Sequence, residues 1–155
     1  MGTGIFTAAH YLCRQSGWQL SNLKLQKLLY FAQMVALGRF GEEILKEDFQ
    51  AWALGPVNEA LYHEAKFFGS RPVETLHPVA GQFLPDLHRA ILDQALESLG
   101  DKSVGELILI SHWPKGAWAK HYKRGEKGRV IPKKDIAAEY WDRLGEKDSP
   151  VDAEC

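Results

Sequence analysis

The stretch LKLQKLLYFAQMVALG, Leu23–Gly38, decides the fold class. Leu25, Leu28, Leu29, Ala32, Val35 and Ala36 recur at helical spacing, so they form one broad apolar stripe on a helix. Ser21 stands where a side-chain oxygen can cap its start, and Gly38 suits its C-terminus. Upstream, Ile5, Ala8, Ala9, Leu12 and Cys13 follow the i, i+3, i+4 pattern, which predicts a helix over residues 4–15 that Gly17 and Trp18 end.

Downstream the period changes. In EDFQAWAL, Glu47–Leu54, Phe49 and Ala51 alternate against Gln50 and Trp52, the mark of a short extended segment. Gly55-Pro56 then cuts the run. Glycine permits a sharp turn, and proline is tolerated in a first helical turn. Gly55 and Pro56 are therefore expected to open a helix carrying Val57, Ala60, Leu61, Ala65 and Phe68, with Gly69 closing it. Residues 70–85 hold three prolines and read as a loop. Asp86 is expected to cap a helix bearing Leu87, Ile91, Leu92, Ala95, Leu96 and Leu99, which ends at Gly100. Ser103–Glu106 spells a capping box before LILISHW. Pro114 stops that helix, and GAWAKHY forms a turn or short helix. KRGEKGR is a basic loop, and Pro132 begins a last helix with Ile136, Ala137, Tyr140, Trp141 and Leu144. The expectation is a mainly α, compact single domain over residues 1–145, with about six helices, a small extended or β element near 49–53, and a flexible polar tail over 146–155.

Composition narrows the function. The chain has 155 residues, 45% hydrophobic and 25% charged, as in ordinary globular domains. No apolar run approaches the roughly 20 residues that span a bilayer. The N-terminus lacks the basic and apolar blocks of a signal peptide. A cytoplasmic location away from the membrane is expected. Cys13 and Cys155 lack the spacing of a zinc site or redox pair. Cys13 lies three residues from His10 but on the apolar stripe, so a buried, inert thiol is expected rather than a nucleophile. His10, His63, His77, His88, His112 and His121 form no HExxH pattern. No nucleophile elbow, phosphate loop or dinucleotide fingerprint occurs. No catalytic residue, metal or cofactor is therefore assigned, and a non-enzymatic protein is expected.

The formal net charge is −1, unevenly spread. Lys115, Lys120, Lys123, Arg124, Lys127, Arg129, Lys133 and Lys134 stand against Glu126 alone, a local +7 that leaves −8 elsewhere. Interleaved with Trp118 and Tyr122, these cations suit either phosphates and stacked bases or the acidic face of a protein. A sequence pI of about 6.6 favours the protein.

A resemblance adds to this reading. LKLQKLLYFAQ (Leu23–Gln33) followed by FQAWALGPVNEALYHEAKFFG (Phe49–Gly69) resembles the paired signature of the Panacea-domain family, which includes SocA-like antitoxins and phage-associated GepA-like proteins. LILISHW with His112, Trp118 in GAWAKHY, and the Ile131, Ile136, Tyr140 ending extend the resemblance over roughly residues 4–144. HWPKGAW departs from the acidic or glycine-rich turn more usual before the tryptophan. The resemblance implies a bacterial antitoxin of a type II-like toxin–antitoxin system, neutralising a cognate toxin by direct protein contact. In the SocA-like branch it implies an adaptor that delivers the toxin to the ClpXP protease. The residues it singles out are Gln26, Lys27, Tyr30, Trp52, Gly55, Pro56, Val57, Tyr62, Lys66, His112 and Trp118. Trp52 and Pro56 are expected to shape the fold. Gln26, Lys27, Lys66 and His112 either share a polar pocket or rim the core.

Overall fold

The computed structural model describes residues 2–77, 83–126 and 128–146. Among these, α1 is Ile5–Gln15, α2 Asn22–Phe40, β1 Phe49–Trp52, β2 Gly55–Val57 and α3 Glu59–Ala65, which runs into a 3-10 turn at Lys66–Phe68. They are followed by α4 Asp86–Leu99, α5 Val104–Ser111, α6 Ala117–His121, β3 Arg129–Ile131 and α7 Lys133–Leu144. The result is mainly α, with a small antiparallel sheet in the order β2-β1-β3. No described helix is long and apolar enough to cross a membrane.

α2 is the axis of the domain. Helices α1, α3, α4, α5 and α7 and strand β2 all pack on it. Leu25, Leu28, Leu29, Phe31, Ala32, Met34 and Ala36 are buried on it, and so are Gln26, Lys27, Tyr30 and Gln33, each of these four 0% exposed. The single-stripe expectation is thus corrected: from Leu25 to Met34 every residue of the helix is buried, so this part has no solvated face to give to polar residues. The buried polar groups bond to backbone instead. Gln33 Oε1 accepts from Ile44 N (2.8 Å) and Leu45 N (3.0 Å), and its Nε2 donates to Leu45 O, which pins the chain leaving the helix. The helix also runs past Gly38 to Phe40, with left-handed Gly41 as its cap. Gly38 lets the Tyr140 side chain of α7 lie directly on the α2 backbone.

The segment after Trp52 is also corrected. Gly55–Val57 does not open a helix. It returns as β2, with Trp52 opposite Gly55, Ala51 opposite Pro56 and Gln50 opposite Val57. Proline fits an outer strand because no ladder bond needs its missing N–H. α3 starts at Glu59, capped by Asn58, whose Oδ1 accepts from Leu61 N at 2.9 Å. β3, read from sequence as the end of a loop, pairs with β1 from Phe49 to Ala51. Pro85, not Asp86, stands at the N-cap of α4. Ser21 and the Ser103–Glu106 box cap as the sequence suggests. Residues 78–82 of the expected loop and 147–155 of the expected tail lie outside the described residues.

Cys13 is fully buried on α1, and burial pushes its thiol up to about 12. Since the thiolate is the reactive species, iodoacetamide at pH 8 should leave Cys13 unmodified in the folded protein and alkylate it fully in guanidinium. Mass spectrometry of the Cys13 peptide reads this directly; rapid native labelling would contradict the burial.

Candidate functional site

Two neighbours on α2 brace the β2–α3 junction. Gln26 Oε1 accepts from Asn58 N at 2.8 Å, while its Nε2 donates to Asn58 O (3.2 Å) and Asn22 Oδ1 (3.4 Å). Lys27 Nζ donates to Pro56 O at 3.1 Å. Desolvation by burial brings the Lys27 amine down to about 7. The strand comes this close because residue 55 has no side chain. Gly55 sits at φ +111°, and a Cβ there would lie 2.6 Å from Ser111 Oγ and 2.8 Å from Lys27 Cε. Gly55→Ala combines a strained backbone with these contacts, so it is expected to lose about 2–3 kcal/mol by urea unfolding. A wild-type midpoint would show that the hairpin can shift without cost.

An aromatic ladder lies beside this brace. His112, at the end of α5, stacks on Trp118 with ring centres 3.8 Å apart and planes 2° from parallel. Trp118 stacks in turn on Tyr122 at 4.8 Å. Trp118 Nε1 donates to Trp52 O at 2.7 Å, which ties α6 to β1. Trp52 meets Tyr62 of α3 edge to face. His112 is half-buried, and its Nε2 has no hydrogen-bond partner among the described residues. Burial, then the nearby Lys27, holds its pKa below the usual imidazole value.

Gln26, Lys27, Trp52, Gly55, Pro56, Val57, Tyr62, His112 and Trp118 therefore form one connected region where α2, α5 and α6 meet the hairpin and α3. Lys66 stands apart, exposed in the 3-10 turn. Tyr30 belongs to a second buried cluster. Its hydroxyl donates to Glu139 Oε1 at 2.6 Å, and Ala117 N donates to the same oxygen at 3.0 Å. Arg143 Nε donates to Glu139 Oε2 at 2.7 Å, and its Nη2 to Ile110 O at 2.7 Å. Glu139 and Arg143 are each 1% exposed. Burial, then the Glu139 charge, raises the Tyr30 hydroxyl well above its ordinary pKa. Sequence reading missed Glu139 and Arg143. The signal was there: Ile136, Glu139, Tyr140 and Arg143 occupy i, i+3, i+4 and i+7 of α7, all buried.

The basic segment does not form a single free patch. Lys115 pairs with Glu146 (2.7 Å), Lys133 with Glu43 (2.7 Å), and Arg129 with Glu126 (3.5 Å). Lys120, Lys123, Arg124 and Lys134 are exposed and make no ion pair among the described residues, while Lys127 lies outside them. No group of three His, Cys, Asp or Glu that could hold a metal ion occurs among the described residues.

Comparison with known proteins places this region within a shared domain. The family described as "Antitoxin SocA-like, Panacea domain" matches residues 25–119, a span that contains all eleven signature residues. The antitoxin SocA of Caulobacter vibrioides (strain NA1000 / CB15N) is 32% identical over 110 residues, which cover 64% of this chain and 58% of that protein's length. No solved structure matches.

Proposed function

The chain belongs to the SocA-like Panacea-domain antitoxin family, and from that premise we propose that it neutralises a cognate toxin by gripping it directly, without turnover of any substrate. The observation that carries this reading is how the signature's polar groups are used. Gln26 and Lys27 are 0% exposed and bind the backbone of Asn58 and Pro56. They fix the shape of the hairpin and α3, as a scaffold for recognition requires, rather than facing a small molecule. The adaptor form of the proposal adds delivery of the captured toxin to ClpXP.

Co-expression with the adjoining gene tests both levels. The neighbour alone should arrest growth, and this chain should restore it and co-purify with the product. Failure of rescue would end the antitoxin reading. If delivery operates, toxin half-life shortens when this chain and ClpXP are both present; if sequestration suffices, half-life lengthens and ClpXP makes no difference.

A further inference from the structure

Beside the hairpin, the outer end of the aromatic ladder opens into a pocket of about 360 Å³, lined chiefly by Trp52, Leu54, Val57, Tyr62 and Tyr122, with Glu126 at its lip. Leu54, at the hairpin turn, is 49% exposed. Between Tyr122 and Gly125, both on the pocket wall, the chain carries Lys123 and Arg124, exposed and without an ion-pair partner among the described residues. An apolar pocket thus adjoins an unneutralised cationic edge.

We propose that this pocket is the toxin-contact site, and that it receives a large apolar side chain from an acidic segment of the toxin. The proposal rests on the antitoxin reading above and says where and by what chemistry the partner is held. Charge complementarity favours an acidic protein segment, because Lys123 and Arg124 beside the pocket are exposed and make no ion pair among the described residues. An apolar anchor in a pocket with charges at the rim is how protein interfaces concentrate their affinity. A stacked nucleobase fits less well. Trp118 has His112 on one face and Tyr122 on the other. Trp52 and Tyr62 cover each other edge to face. The rings are used in holding one another and form a slot rather than a platform.

Binding of the full-length chain to the purified product of the adjoining gene, measured by calorimetry and by association kinetics at several salt concentrations, tests this. Leu54→Glu should weaken the complex about tenfold or more. Lys123→Glu with Arg124→Glu should slow association about tenfold at low salt and flatten its salt dependence. Leu109→Glu replaces an apolar side chain that is 74% exposed on α5 and outside the pocket, so it should change neither. All variants should unfold at the wild-type urea midpoint. If the pocket and loop variants bind like wild type, or Leu109→Glu costs as much as Leu54→Glu, the assignment is overturned while the antitoxin reading stands. If wild type itself forms no complex, that reading fails and the assignment with it. A single-stranded oligo-dT that wild type binds and the same pocket variants lose would overturn it in favour of nucleic acid.

Discussion

Glu139→Ala is expected to destabilise the domain by about 3–5 kcal/mol, the cost of leaving one partner of a buried ion pair alone. That is a large share of the roughly 5–15 kcal/mol by which domains are stable. The size follows from what the carboxylate holds. One oxygen accepts from both Tyr30 and Ala117 N, and the other takes Arg143. Alanine would take the carboxylate away from a guanidinium that is 1% exposed, and from the Tyr30 hydroxyl and Ala117 N that it accepts from. Arg143 would keep its bond to Ile110 O and its place over the Trp113 and Phe31 rings. The diagnostic comparison is the double variant Glu139→Leu with Arg143→Met. Removing both charges should cost less than removing either one, because a buried pair roughly breaks even against apolar replacements while a lone buried charge does not. Urea unfolding of wild type, Glu139→Ala, Glu139→Leu, Arg143→Met and the double variant decides. A Glu139→Ala variant within about 1 kcal/mol of wild type, or strict additivity in the cycle, would contradict the cluster as described.

The same cluster shows what a sequence hides. α1, α4 and α7 were legible because their apolar residues repeat at 3.6, and the starts of α2 and α5 because Ser21 and the Ser103–Glu106 box are local chemistry. The errors fall where partners distant in the chain decide. Proline's fixed φ suits both a first helical turn and an outer strand. Only pairing with β1 makes Pro56 a strand residue. β3 is three residues, of which only Ile131 is buried, too short for any periodicity. Gln26 and Lys27 read as either a shared polar pocket or a rim to the core because their partners lie on other segments: Asn58 and Pro56. For the candidate site, resemblance named residues that the fold does bring together, but pattern alone could not separate Lys27, which is enclosed, from Lys66, which faces solvent. Burial of a lysine is a tertiary fact. The pocket also mixes Tyr122 and Glu126, beyond the shared span of residues 25–119, with Trp52 and Tyr62 inside it, so no local motif marks it.

Lys27 supplies the other large effect, a dependence of stability on pH. Its amine titrates near 7 in the folded protein and near 10.5 when free of burial. A lysine whose folded pKa lies below its unfolded value takes its proton more readily when unfolded, so protonation favours unfolding. The deficit is full below pH 7, shrinks as pH rises, and disappears above the unfolded pKa. Wild-type stability should therefore increase by about 2 kcal/mol between pH 7 and pH 9. Above pH 9 the trend is opposed by Cys13, whose thiol is held near 12 in the fold while the unfolded thiol ionises near 9. His112 packs against the same region with its pKa lowered, so its unfolded form takes a proton first and stability falls further below about pH 6.5. Lys27→Met keeps most of the volume and removes the titration. It forfeits the bond to Pro56 O, which is worth about 1 kcal/mol. It also lifts a desolvation cost of about 4 kcal/mol near neutrality, so the variant should be about 1–3 kcal/mol more stable than wild type at pH 7 and flat from pH 7 to 9. Urea midpoints across that range measure both. A flat wild type would mean that water or another acceptor reaches the amine. A slope that survives in Lys27→Met would assign the titration to a different group.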